Sequence, residues 1–479
     1  MTAQPLGEPA WERLDPRMLL VHPIREVGRF VPVLLGLLVT GRLTDGPWAL
    51  LGVGLPVSLG VVRYFTTRYR VTTDRVELSH GLLARHRLST PIDRVRTVDL
   101  TATPIHRVLG LAALVVGTGS VATGEDNRIK LDSLPREQAA DLRRRLLEAP
   151  HADGVIAQPL APTETVVARF EPRWLWYAPF TSTVLVAIGA VFGAVSPYLG
   201  QIDLSHDRLE RIKPLLITLA VAAPLLLVLL YVAAYLVTNG GFLLTRRAET
   251  WHVSRGLVTH RETSIDADRL AGVGIGEALP LRLARGRRLK AIVTGLRRSQ
   301  ESSTTLLPPT PRRTTLTAAA ALVGSEAAVT GPLLAHGPRA TTRRYTRALM
   351  AAAPVVAGTA IAVVAGAPAA LGALGLAAVV LAIGLAADRA RSLGHAHLEG
   401  HVVMRSGSLT RRREILGDSH VIGWNLRATW FQRRVGLVTV AATTAGGGGR
   451  IEVRDVPAAD AVALARAATP GLLEEFLAG

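Results

Sequence analysis

Apolar residues along this chain follow two rhythms. In "YRVTTDRVELSHGLLARHRLSTP" (Tyr69–Pro91) they alternate with polar ones, with Val71, Val76 and Leu78 marking one side and turn residues at Asp74-Arg75 and His80-Gly81. That alternation predicts half-buried strands. Further strands are expected at Arg94–Leu100, Leu111–Ser120 and "NRIKLDSL". In "PREQAADLRRRLLEA" (Pro135–Ala149) the period becomes helical, with Pro at the entry and Ala139, Leu142, Leu146 and Leu147 on one face. Elsewhere the polar positions vanish. Trp174–Ile202, Pro214–Thr245 and Ala348–Ala387 carry no charge, and the last is broken at Gly366-Ala367-Pro368. About 20 apolar residues cross a bilayer as a helix. Phe30–Gly41 and Pro47–Val62 are shorter, but Arg29, Arg42 and Arg63 can snorkel and extend them. The pattern predicts six spans arranged as three hairpins.

A fifteen-residue block recurs without a gap at Gly81–Val95, Gly256–Leu270 and Gly407–Val421. Its leading Gly suits a tight connection with positive φ. Arg107, Arg282 and Arg433 hold one shared offset from that Gly in the three copies, and Gly110 and Gly436 share another. Gly286 comes one position late, which reads as a small insertion or a degenerate copy. "RIEVRDVP" and "AADAVALARAATPGLLEEFLAG" repeat the strand-then-helix ending, whereas Ser302–Thr315 reads as loop. Repetition on this scale predicts three hairpin-plus-domain units rather than a short-period solenoid.

The segments "YRVTTDRVELSHGLL", "TPIDRVRTVDL" and "IHRVLGLAALVVGTGS" resemble the bacterial pleckstrin-homology (PH) domain membrane proteins. The third copy matches in part, with Ser419-His420 in place of Asp-Arg, and the middle copy departs at its second Gly and its helix. The resemblance implies a fold that joins α-helical membrane hairpins to α+β PH-like domains, each a partly open β-barrel closed by a C-terminal helix, in three copies. The expected hairpins are 27–62, 174–238 and 348–387. The expected PH-like domains are 63–150, 239–316 (divergent) and 388–479. The resemblance implies no activity; some relatives are associated with resistance to membrane-active peptides, which points to envelope homeostasis.

Composition changes this picture in three ways. The chain is half hydrophobic, yet its net charge is +18, as expected of membrane segments joined to basic domains. Residues 239–347 hold 18 Lys/Arg against 7 acids, so the positive-inside rule places the large segments and both termini in the cytoplasm of a multi-pass membrane protein. Cysteine is absent, which excludes disulfides, thiol catalysis and cysteine-ligated metals. The N-terminal stretch has no signal-peptide pattern.

Candidate chemistry is sparse. His395 and His397, an alternating pair followed by His401, could ligate a metal from one strand face, but no obvious acid or third ligand is fixed beside the pair, so no metal or other cofactor is expected. Gly446–Gly449 lacks the Lys-Ser/Thr of a phosphate loop and reads as a hairpin turn. Asp203, Asp207 and Glu210 read as a solvated cap paired with neighbouring basic residues. The Arg clusters are the candidate contacts to anionic lipid: Arg143, Arg144, Arg145, Arg287, Arg288, Lys290, Arg411, Arg412 and Arg413. Few aromatics accompany them, so nucleic acid is not an expected partner. The expected protein is a non-enzymatic membrane scaffold or binding module whose partners are membrane lipids and a second copy or another protein. The alternative is a transporter or lipid-export component.

Overall fold

In the computed structural model the described residues are 11–19, 65–72, 74–80, 86–92, 95–118, 129–147, 164–180, 206–294 and 304–471. The chain divides into two compact units: Met1–Arg169 with Val237–Arg269, and Phe170–Leu236 with Leu270–Gly479.

In the first unit β1 (Glu12–Arg13), β2 (Arg68–Val71), β3 (Arg75–His80) and β4 (His86–Pro91) form an antiparallel sheet in that order. β5 (Val95–Ala102), helix α1 (Pro104–Val108), β6 (Leu111–Thr118), β7 (Ile129–Pro135) and helix α2 (Arg136–Leu147) follow. The alternation sends Tyr69, Val76 and Leu78 inward against Val98, Leu100, Leu114, Val116 and Ile129, and Ala139, Leu142 and Leu146 of α2 complete the core. Each such Leu or Val contributes about 1.5–3 kcal/mol on burial. β8 (Glu164–Arg169) comes next; α3 (His206–Asn239), which belongs to the second unit up to Leu236, precedes β9 (Leu243–Arg247), β10 (Thr250–Arg255) and β11 (His260–Asp266). β11 pairs antiparallel with β5, so one seven-stranded sheet runs β7-β6-β5-β11-β10-β9-β8.

The second unit repeats this joining. β12 (Leu270–Ala278), α4 (Leu279–Leu283), β13 (Gly286–Val293), β14 (Thr305–Pro311), α5 (Arg312–Val323) and α6 (Glu326–Thr330) precede a helical hairpin, α7 (Gly337–Val364) and α8 (Leu371–Ser392). β15 (Gly394–Leu398), β16 (His401–Gly407) and β17 (Thr410–Gly417) come after it, and a six-stranded sheet runs β14-β13-β12-β17-β16-β15. β18 (Gly423–Arg427), α9 (Trp430–Arg433), β19 (Leu437–Thr443) and β20 (Arg450–Pro457) make a three-stranded sheet before α10 (Ala458–Ala468). Val402, Met404, Leu416, Val440, Val453 and Leu464 lie at the centre of its core.

Several expectations are corrected. Among the described residues two helices, α7 and α8, are long and apolar enough to cross a membrane, not six. The turn between them falls at Gly366 (φ 96°) as expected. The hairpin expected at 27–62 lies outside the described residues, and so does 181–202. Trp174, expected to begin a span, instead sits fully buried in a 3-10 helix, Pro172–Phe180. A fold of three self-contained barrels is likewise overturned, because β5 with β11 and β12 with β17 share sheets.

Within the stretch expected as loop, Ser302–Thr315, the described residues from 304 on hold β14 and the start of α5. β14 tolerates Pro308 and Pro309 because it is an edge strand. α5 buries Thr315, Ala318, Ala319 and Leu322, a face too small-residued to stand out in the pattern. No insertion delays Gly286. Arg285 takes the left-handed position (φ 61°) held by Gly110 and Gly436, and its carbonyl accepts from Arg312 as theirs do from Arg136 and Ala458.

The two described leading glycines of the block do need positive φ: Gly256 lies at 104° and Gly407 at 111°. A Cβ there would stand 2.0 and 2.1 Å from the carbonyl oxygens of Thr259 and Thr410.

Candidate functional site

The middle of the six-stranded sheet carries an unusual strand. β12 reads LAGVGIGEA, with Val273 and Ile275 buried and glycine at 272, 274 and 276 between them. The glycines leave one sheet face without side chains along the strand axis. The neighbours fill its sides: Gly276 lies opposite both Arg288 of β13 and Arg412 of β17, and Gly274 opposite Lys290 and Glu414. Alternation places 288 with 290, and 412 with 414, on the same face.

The result is a cleft of about 140 Å³ with a glycine floor and four basic side chains, Arg288, Lys290, Arg412 and Arg450, against one acid, Glu414. Gly447 and Gly448 of the β19–β20 turn line its rim. That turn, expected from Gly446–Gly449, is pinned: Gly447 donates to the carbonyl of Val293 and Gly446 bridges Thr294. Arg450 is also 3.4 Å from Glu452. A surplus of guanidinium and ammonium donors over a floor that excludes side chains suits an anion with several acceptor oxygens.

The other sequence candidates are engaged elsewhere. Arg143 pairs with Glu262, and Arg144 and Arg145 pair with Asp141 on the exposed side of α2. Arg287 points to the opposite sheet face and pairs with Glu277 at 2.7 Å. Arg411 pairs with Asp388. Arg413 donates to the carbonyls of Ala328 and Gly331, and burial, with Arg405 and Arg287 nearby, pushes it down to about 10. Three of the nine therefore converge on the cleft. Arg450, the glycines of β12 and Glu414 were missed, although the G-V-G-I-G alternation was open to view.

The histidines do not assemble a metal site. His395 is buried with its Nδ1 3.2 Å from Nε2 of His336, whose Nδ1 is 3.2 Å from the Arg454 carbonyl. His397 meets Asp418 at 2.6 Å, and His401 meets the Glu399 carbonyl. Among the described residues no group of three His, Asp or Glu could hold a metal ion. Burial, with His395 beside it, pushes His336 down to about 4.

Against known proteins, the family model described as "Bacterial PH domain" matches residues 26–150 and 352–468, together half of the chain. β17 and β20 of the cleft lie inside the second match, β12 and β13 between the two. No curated protein and no solved structure matches the chain.

Proposed function

The chain belongs to the bacterial PH domain family, and on that premise we propose a non-enzymatic, membrane-anchored binding module that takes anionic lipid headgroups in the cleft of Arg288, Lys290, Arg412 and Arg450. The cleft is the observation that carries this reading: its basic groups are gathered on one face by strand register, not scattered as topology signals. α7 and α8 supply the anchor. The Lys/Arg excess of residues 239–347 favours a cytoplasmic position for the sheets. Each basic residue near an anionic surface contributes about 1 kcal/mol, so with Glu414 and the Glu452 partner of Arg450 set against the four basic groups the cleft favours an anionic over a zwitterionic headgroup by about 2 kcal/mol.

The test uses full-length protein in phosphatidylcholine nanodiscs, titrated with soluble short-chain phosphatidylglycerol, short-chain phosphatidylcholine and inorganic phosphate. Phosphatidylglycerol should bind, weaken with salt, and lose at least tenfold in affinity with Arg288→Ala and Arg412→Ala together. Arg144→Ala with Arg145→Ala should leave it unchanged. Equal binding of the two lipids would sink the proposal, and binding of phosphate alone would reassign the cleft to a soluble anion.

A further inference from the structure

Among the described residues a short helix sits at one shared offset in all three copies. Counted from Gly81, Gly256 and Gly407, α1 begins at Pro104, α4 at Leu279 and α9 at Trp430. Each turns large apolar side chains outward: Val108 in α1, Leu283 in α4, and Trp430 and Phe431 in α9. Leu283 is 76% and Phe431 61% exposed, so neither serves the core.

In the second unit two of these helices are fastened to the base of the helical hairpin. Arg282 of α4 and Arg411 of β17 pair with Asp388 near the end of α8. Leu279 donates its N–H to the carbonyl of Leu409, which brings that exposed residue of the β16–β17 turn beside α4. On the other helix, Arg343 of α7 donates to the Thr429 hydroxyl at 3.3 Å and Arg339 to the Val435 carbonyl at 3.5 Å. α9 therefore lies against the first turns of α7.

We infer that α4 and α9 rest on the bilayer that α7 and α8 cross, with Leu283 and Leu409 beside α8, and Trp430 and Phe431 beside α7, seated at its headgroup–acyl boundary. This rests on the membrane anchor proposed above and is independent of the cleft.

The level of the attachment points supports it. The outward-facing large apolar residues of the hairpin begin at Leu349 on α7 and end at Ile383 on α8. Asp388 lies five residues beyond Ile383, and Arg343 six before Leu349, which is about 7.5 and 9 Å along the helix axes. The headgroup layer on each side of the hydrocarbon core is about 5–7.5 Å thick, so both short helices are held at the level of that layer. Their chemistry agrees. Arg434 stands 3.6 Å over the Trp430 ring and Phe431 packs edge-on against it, an apolar body with a charged rim of the kind a membrane interface favours. Exposed Arg389, Arg391, Arg433 and Arg434 offer partners to lipid phosphates at the same end of the hairpin. Two footholds, one on each helix, keep the sheets of this unit from swinging on the hairpin.

The chain has no cysteine, so single introduced cysteines carry a dye cleanly. Full-length Leu283→Cys, Phe431→Cys and Ile383→Cys are labelled with the fluorophore NBD and placed in nanodiscs of phosphatidylcholine and phosphatidylglycerol. Phosphatidylcholine bearing a nitroxide near its headgroup should quench all three by at least half, and iodide in the water should leave them nearly unchanged. Position 383 reports the span itself. If the nitroxide lipid leaves it unquenched, the anchor and this inference fall together; quenching at 383 but not at 283 and 431 overturns the inference alone. Labels at 283 and 431 shielded from both quenchers mean that protein covers these side chains, which overturns it as well. A label-free check uses the emission lost on Trp430→Phe: the nitroxide lipid should quench that component and iodide should spare it, and the reverse would overturn the inference too.

Discussion

Asp455 is the most exacting place to perturb this fold. Its side chain is 1% exposed and stands against three donor groups: Arg343 Nε at 3.0 Å, an Arg344 nitrogen at 2.8 Å and Gln432 Nε2 at 2.8 Å. Both arginines lie in the first turns of α7 and are themselves largely buried, so the carboxylate ties the helical hairpin to β20. Its backbone is left-handed (φ 60°), a conformation that Asn tolerates but that costs Ala about 1–2 kcal/mol. Asp455→Asn thus removes the charge with little backbone strain. Removing one partner of a buried ion pair costs about 3–5 kcal/mol, and the retained amide oxygen points to the lower end. A loss of about 3 kcal/mol is a factor of about 10² in a local opening equilibrium. Hydrogen exchange of β20 and α10 in the detergent-solubilised protein should accelerate by that factor, and a triple variant with Arg343→Met and Arg344→Met should recover most of it. Exchange within threefold of the unsubstituted protein would refute the reasoning, since two uncompensated guanidiniums cannot stay buried at no cost.

His336, held neutral with a pKa near 4 by burial, makes stability depend on pH. The unfolded imidazole titrates at about 6.5, so its contribution is complete above that value and is lost as pH falls toward 4, by about 3 kcal/mol in total. Denaturant titrations at stepped pH should show that slope, and His336→Phe should flatten it; an unchanged slope would discount the residue. Gly407→Ala should destabilise by more than about 2 kcal/mol, because φ is 111° and the new Cβ would meet the Thr410 oxygen. Gly400→Ala, also at positive φ but with nothing within 4 Å, should cost only about 1–2 kcal/mol. Equal midpoints for the two alanines would show that the close approach does not matter.

What the sequence disclosed follows from how local each signal is. Strand alternation at Tyr69–Pro91, the helix of Ala139, Leu142 and Leu146 and the turn at Gly366 are set by neighbours in sequence, and all three appear in the structure. The start of α5 reads as loop because Thr315, Ala318 and Ala319 make an interior face without large apolar residues. Trp174 shows the reverse failure: an uncharged run beginning at WLWYAP looks like a span, yet its first turns form a 3-10 segment that buries Trp174 and Ala178 and leaves Trp176 exposed. The sheet sharing was not legible, since β5 and β11 lie far apart along the chain and nothing in either strand alone names the other. The cleft inherits that non-locality. Arg288 and Lys290 show their shared face in sequence, but Arg412 and Arg450 reach it only through the pairing of β12 with β17 and the fold of the last sheet.

The equivalent strand of the first copy is filled where β12 is open. Counted from the leading glycine of each copy, the positions of Gly274 and Gly276 are held by Asp99 and Thr101 in the first. There the space is closed, because Thr263 of β11 donates to the Asp99 carboxylate at 2.5 Å across the β5–β11 pairing. Gly274 therefore acts as the switch between an open and a filled floor. A Cβ at Gly274 would have nothing within 4 Å, so Gly274→Asp can start without a backbone clash, and its carboxylate enters between Lys290 and Glu414. The strand pairing should survive, with hydrogen exchange of β12 and β17 unchanged, while one added negative charge and the loss of floor space remove phosphatidylglycerol binding in the nanodisc titration. Gly274→Val should weaken binding through volume alone and so by less. Undiminished binding by Gly274→Asp would place the lipid contact outside the cleft, and a collapse of β12 protection would mean that the glycines serve the sheet rather than the ligand.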